Sequence, residues 1–162
     1  NVSPMPAPGA PGQQWVADGL SHDDYGHPSN AAKFHVAGLD KRRAKLRDFD
    51  YGETWGEIHG EGEVAVVAFG STVGPVKEAA RRLGESGMKV KVVALRLLAP
   101  APTQAIAAAL KDAQRVIVVE QNHSGQLYRH LIAEKALPAH AESLARPGPL
   151  PFRPGEIATY LA

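Results

Sequence analysis

Cysteine is absent from all 162 residues. That absence removes disulfides, thiolate nucleophiles and iron–sulfur ligation from anything this chain does by itself. It also fits a protein of the reducing cytoplasm. An excess of charge of either sign is lacking too. Eighteen Lys and Arg stand against 17 Asp and Glu, a formal +1, which gives no global reason to expect nucleic acid or a membrane as partner. No apolar run approaches the roughly 18 residues that span a bilayer, and the N-terminus lacks the basic-then-apolar order of a signal peptide. There is no Gly-Lys-Ser/Thr phosphate loop and no internal repeat.

What remains is an ordinary globular composition, 44% hydrophobic and 22% charged, with enough chain for one good core. Its most informative stretch runs from Val64 to Leu131. Val64–Phe69, Val90–Leu95 and Arg115–Glu120 are near-continuous apolar runs. The segments through Ala79, Ala80 and Leu83, and over Thr103–Leu110, carry helical spacing. Buried strands alternating with amphipathic helices predict a three-layer α/β domain with a mostly parallel sheet. The three runs, narrowing to Val116–Val119 in the third, are expected as parallel neighbours joined by right-handed crossovers. A weaker run over Ala141–Ala145 is expected at an edge.

Residues 1–28, rich in Pro and Gly at the start, read as an extended linker or strap from a preceding domain, with Trp15-Val16 as its anchor. The chain begins at Asn1 rather than Met, and together with that opening composition this suggests a fragment of a longer polypeptide. Residues 29–62 read as a connecting helix and loop, capped by Ser29 or Asn30 and running to about Asp48. Residues 63–162 form the α/β domain, with a helix opening at Gly125 and a final one over Pro154–Leu161.

Strand ends carry the candidate chemistry, because loops at the carboxyl edge of a parallel sheet open on one crevice. Gly70-Ser71-Thr72 either offers backbone N–H groups to an anion or caps the following helix. Arg96 could clamp a carboxylate or pin its own loop. Asn122-His123-Ser124-Gly125 offers directional hydrogen bonds to a ligand or to another subunit. The rim candidates are therefore Ser71, Thr72, Arg96, Asn122, His123, Ser124 and Gly125. No catalytic triad can be assembled from them. The loop His22–His27 has oxygen and nitrogen donors but neither EF-hand nor zinc spacing, so no metal site is expected. The basic run Lys41–Arg47 suits the last turns of a helix and its solvated face, and nucleic acid is not expected to bind it.

In order, these segments resemble a known family. Val90–Pro100 with its Leu-Arg and proline turn, then Arg115-Val-Ile-Val-Val-Glu-Gln121 before a Gly-opened helix, is similar to the C-terminal domain of transketolases and related thiamine diphosphate enzymes. Gly19-Leu-Ser-His-Asp-Asp-Tyr-Gly26, Glu120-Gln-Asn-His-Ser-Gly-Gln-Leu127 and Pro151-Phe152 before Glu156-Ile157 resemble the alpha subunit of 2-oxoacid:ferredoxin oxidoreductases, of the 2-oxoglutarate type. Ser21 and Pro149-Leu-Pro-Phe152 depart from the usual family pattern. The resemblance implies an intact complex that oxidatively decarboxylates a 2-oxoacid to an acyl-CoA using thiamine diphosphate, Mg²⁺, an iron–sulfur cluster and coenzyme A. The implied partners are the remaining domains of the alpha subunit, a beta subunit and ferredoxin. This chain would be a structural and assembly domain holding none of those cofactors and inactive alone. The rival reading is a free-standing module in which Ser71, Arg96 and His123–Gly125 converge on a small anion.

Overall fold

A computed structural model describes residues 5–13 and 18–162. It divides into two compact units, residues 1–50 and 51–162. The expected Trp15-Val16 anchor lies outside the described residues.

In the first unit the strap is not extended where it is described. Ala10 N–H donates to Ala7 O at 3.1 Å, and Gln13 N–H to Ala10 O at 3.2 Å. Each turn is built on a Pro-Gly pair, with Gly9 and Gly12 at φ +84° and +70°. Proline presets the first central position of such a turn and glycine takes the left-handed second one, so Pro/Gly density here encodes tight turns rather than extension. Residues 21–29 close on themselves through a bridge between His22 and Pro28. Asp23 Oδ1 accepts N–H bonds from Tyr25 and His27, both at 2.9 Å. The His27 N–H holds the Asp23 carboxyl below its usual range, so Asp23 serves its own turn. Helix α1 (Ala32–Arg47) follows from Ala31, with no side-chain cap. The Ser29 hydroxyl accepts from Ala31 N–H at 3.3 Å, two residues before the capping position that Ala31 occupies.

The second unit holds a five-stranded sheet in the order β1-β3-β2-β4-β5. Its strands are β1 (Gly56–His59), β2 (Val64–Phe69), β3 (Val90–Leu95), β4 (Arg115–Glu120) and β5 (Glu142–Ala145). The helices are α2 (Val73–Glu85), α3 (Thr103–Leu110), α4 (Gln126–Ala133) and α5 (Pro154–Leu161). Strands β3, β2, β4 and β5 are parallel, as the apolar runs predict, and Glu142–Ala145 takes the edge beside β4. Strand β1 was not expected. It pairs antiparallel with β3, Gly56 opposite Leu95 and His59 opposite Val92, and its four residues are too short and too polar for periodicity to mark them. Gly62 lets the chain pass beside β3, since a Cβ there would lie 2.2 Å from Lys89 O.

Alternation along the strands divides the core between two faces. Ala65, Val67, Val93, Leu95, Val116 and Val118 pack with Ile106 and Leu110 of α3 and Leu127 and Leu131 of α4. Val66, Ala68, Val92, Ile117 and Val119 pack with Val76 and Leu83 of α2 and Ile157 and Leu161 of α5. Sheet burial on both faces is why these strands read as continuous apolar runs. Arg115 ties the C-terminal helix to this sheet. Its guanidinium makes a fork with Glu142 at 2.9 and 3.1 Å and donates to Leu161 O at 3.0 Å. No helix among the described residues is long and apolar enough to cross a membrane.

Leu131 is fully buried, so Leu131→Ala should cost about 3 kcal/mol in urea denaturation. The Glu142 carboxyl is held below the usual range, chiefly by its hydrogen bonds with Arg115. Its contribution to stability is therefore complete above the unfolded carboxylate value and is lost as pH falls through the lower folded value. Glu142→Gln should lower stability in the neutral region and flatten the acid limb of the stability-against-pH curve, so that the variant and the wild type converge at the acid end.

Candidate functional site

Because β2, β3 and β4 run parallel, their following loops open on one carboxyl-edge rim. Between them lies a cleft of about 460 Å³ whose walls include Phe69, Ser71, Thr72, Leu98, Asn122 and His130. The structure thus brings Ser71, Thr72 and Asn122 onto one cleft, with Gly70, Glu120, Gln121, Gln126 and Leu127 beside them.

Glu120 organises the rim. It ends β4 with only 4% of its surface exposed, and an unpaired carboxylate at such a place is costly. Three N–H donors satisfy it. Oε2 accepts from Leu127 N–H at 2.7 Å and from Asn122 Nδ2 at 2.5 Å, while Oε1 accepts from Tyr128 N–H at 3.0 Å. Asn122 Oδ1 in turn accepts from the N–H groups of Ser124, Gly125 and Gln126 at 3.2, 2.8 and 3.2 Å. The opening N–H groups of α4, which a helix start leaves without partners, are thereby occupied from within. Gly125 makes the sharp entry at φ +64°, where a Cβ would sit 3.1 Å from Ser143 Oγ. Both the left-handed backbone and that approach favour glycine.

Gln121 faces the other way. Its amide donates to Gly148 O at 3.2 Å and Leu150 O at 2.9 Å, and its carbonyl accepts from Phe152 N–H at 3.3 Å. The loop after β4 and the Pro-rich segment 146–152 are therefore pinned together. Arg146 completes the clasp, forking to Glu156 at 2.8 and 3.2 Å and covering the Phe152 ring at 4.2 Å.

Thr72 is buried, and its hydroxyl lies 3.1 Å from both Phe69 O and Val119 O. Its single hydrogen fastens the turn to the ends of β2 and β4, and α2 has no side-chain cap. Ser71 is exposed on the cleft wall. Arg96 is not on that wall. Its guanidinium pairs with Glu57 of β1, whose other oxygen lies 3.0 Å from His59 Nε2. His59 and then Arg96 hold the Glu57 carboxyl below its usual range. His123 is exposed, and neither it nor Ser124 lines the cleft. Ser71, Arg96 and His123–Gly125 thus do not share one pocket.

Sequence reasoning passed over His130, whose Nε2 lies 2.8 Å from Leu98 O. A carbonyl only accepts, so Nε2 carries the proton and Nδ1 is the free ring nitrogen of any neutral form. The signal available was its place one turn beyond Gln126 and three residues after Leu127, which is packed toward the sheet. Among the described residues no three His, Asp or Glu converge as metal ligands.

Glu120→Gln removes one accepting oxygen and sets an NH₂ against N–H donors. The expected loss is about 1–3 kcal/mol, seen by urea denaturation together with faster hydrogen exchange at Leu127 and Tyr128.

The chain is similar to known proteins in sequence and in overall structure. The family profile described as "Pyruvate:ferredoxin oxidoreductase core domain II" matches residues 62–147, more than half of the chain. The alpha subunit of 2-oxoacid:ferredoxin oxidoreductase 2 from Aeropyrum pernix is 34% identical over 127 residues, 75% of this chain and 20% of that protein. An apulose-4-phosphate transketolase subunit from Actinobacillus succinogenes is 40% identical over 81 residues, 48% of this chain and 26% of that protein. Among solved structures, a 2-oxoglutarate:ferredoxin oxidoreductase from Magnetococcus marinus, with 2-oxoglutarate, coenzyme A and succinyl-CoA bound, is 35% identical. That match has a TM-score of 0.80 and covers 98% of this chain and 28% of that one. The chain spans about a fifth to a quarter of the length of these curated relatives.

Proposed function

Since this chain belongs to the pyruvate:ferredoxin oxidoreductase core domain II family, we propose that it is the structural and assembly domain of a 2-oxoacid:ferredoxin oxidoreductase alpha subunit. The whole enzyme would convert a 2-oxoacid and coenzyme A to an acyl-CoA, passing electrons through an iron–sulfur cluster to ferredoxin in the cytoplasm. It would use thiamine diphosphate and Mg²⁺. The likeness to a 2-oxoglutarate:ferredoxin oxidoreductase over 98% of the chain supports 2-oxoglutarate as the substrate.

One observation carries the assembly role. Most of the polar groups on the rim are spent on the fold itself. Glu120 and Asn122 occupy the opening N–H groups of α4, Thr72 joins two strand ends, and Gln121 clasps segment 146–152. A reacting centre needs groups free to meet substrate, whereas a rigid rim suits contact between polypeptides. The donor set does not suit the cluster either, because a chain without cysteine supplies no thiolate to iron. The cofactors belong, in this reading, to the other domains and to the beta subunit, and this domain alone is inactive. Arg96 and His123, both exposed on the rim, face that partner.

The test uses the complete enzyme, with this domain in its full-length subunit and the partner subunit present. Coenzyme A-dependent dye reduction should favour 2-oxoglutarate over pyruvate by about tenfold or more in kcat/KM. A pyruvate preference overturns the substrate, and no reduction with any 2-oxoacid overturns the reading. The double variant Arg96→Ala, His123→Ala should assemble less well while its melting temperature stays within about a degree, since exposed ion pairs contribute little. Normal assembly with lost turnover would instead make the rim catalytic.

A further inference from the structure

Helix α1 runs for sixteen residues and none of them is buried. Helices in proteins are stabilised mostly by packing one face rather than by intrinsic propensity. Ala32, Val36, Leu39, Arg43 and Leu46 recur at intervals of four, three, four and three residues, which is the seam spacing of a helix packed on another helix. Val36, Leu39 and Leu46 are 53%, 48% and 56% exposed.

The seam is interrupted by one cation. Arg43 sits between Leu39 and Leu46, is exposed, and has no carboxylate within ion-pair distance among the described residues. The helix as a whole carries six Lys and Arg against Asp40 as its one acid. A charged residue at a seam position selects a partner by the charge placed opposite it.

We infer that the Ala32–Leu46 seam of α1 is a docking surface for a helix of another part of the enzyme, apolar along its own seam and bearing a carboxylate that meets Arg43. Charge complementarity selects that occupant. A parallel copy of α1 in register would set Arg43 against Arg43. An anionic membrane would have to take a cation into the middle of the apolar stripe, and the stripe lacks the aromatic anchors of interfacial helices. Nucleic acid would gain from the basic residues but nothing from Val36 and Leu39. The inference rests on the proposed role within a multi-subunit enzyme.

The complete enzyme is again the material, with variants Leu39→Asp, Arg43→Glu and Lys41→Glu. Lys41 is two residues from both Leu39 and Arg43, on the opposite side of the helix. Native mass spectrometry across a dilution series should show Leu39→Asp and Arg43→Glu weakening assembly at least tenfold, and Lys41→Glu changing it less than twofold. A photo-crosslinking residue at Val36 should capture a helical segment with Asp or Glu on the facing side, outside residues 1–162. Wild-type assembly of both seam variants overturns the inference. So does an equal loss in Lys41→Glu, the mark of a non-specific basic surface for membrane or nucleic acid, or crosslinking to a second α1. Failure of the functional reading is separate, because it removes 2-oxoacid-dependent dye reduction from the wild type itself.

Discussion

The carboxyl edge of the sheet depends on a single buried charge. Glu120 stands at the end of a strand with neighbours buried on both faces, where water cannot solvate it. Burying an ionised carboxylate is tolerable only with near-complete hydrogen bonding. The start of α4 supplies that bonding, and the helix gains the caps it would otherwise need from Ser, Thr or Asp at its entry. Charge and helix end solve each other's desolvation. Asn122 and Gly125 follow from this arrangement, one to satisfy the remaining N–H groups and the other to turn the chain steeply enough to reach them.

From that joint the organisation spreads along the rim. Gln121, next in sequence, has both ends of its amide taken by the 148–152 backbone. Arg146 and Glu156 lock the same segment from its far side. The C-terminal helix thus begins at a fastened point, and Arg115 donates to its last carbonyls at the opposite edge of the sheet. These polar contacts position α5 so that Ile157 and Leu161 complete one face of the core. Apolar burial supplies most of the stabilisation, while the polar clasps choose one arrangement among many that would bury similar area.

Such a rim is fastened mainly to its own fold. Its hydrogen-bonding groups are largely turned inward, and the exposed remainder, including Ser71, His123 and the Arg96–Glu57 pair, is dispersed along different loops. The chain belongs to the pyruvate:ferredoxin oxidoreductase core domain II family and spans about a fifth to a quarter of the length of its curated relatives. Exposed apolar side chains also line α1, at Val36, Leu39 and Leu46.

Much of this was legible in the residues alone. The parallel core was readable because strands buried on both faces must be apolar at every position, which a linear sequence displays directly. The helix starts at Gly125 and Pro154 were readable because backbone geometry restricts which residues fit there. What only tertiary structure decided was the partner of each polar side chain. Whether Thr72 would cap a helix or bridge two strands depended on Val119, 47 positions away. Whether Arg96 would hold a ligand or its own fold depended on β1, a strand too short and polar to announce itself. The physical reason is range. Apolar burial is non-directional and leaves a local periodic pattern, whereas a hydrogen bond or ion pair is specified by two groups that the chain brings together only after it has folded.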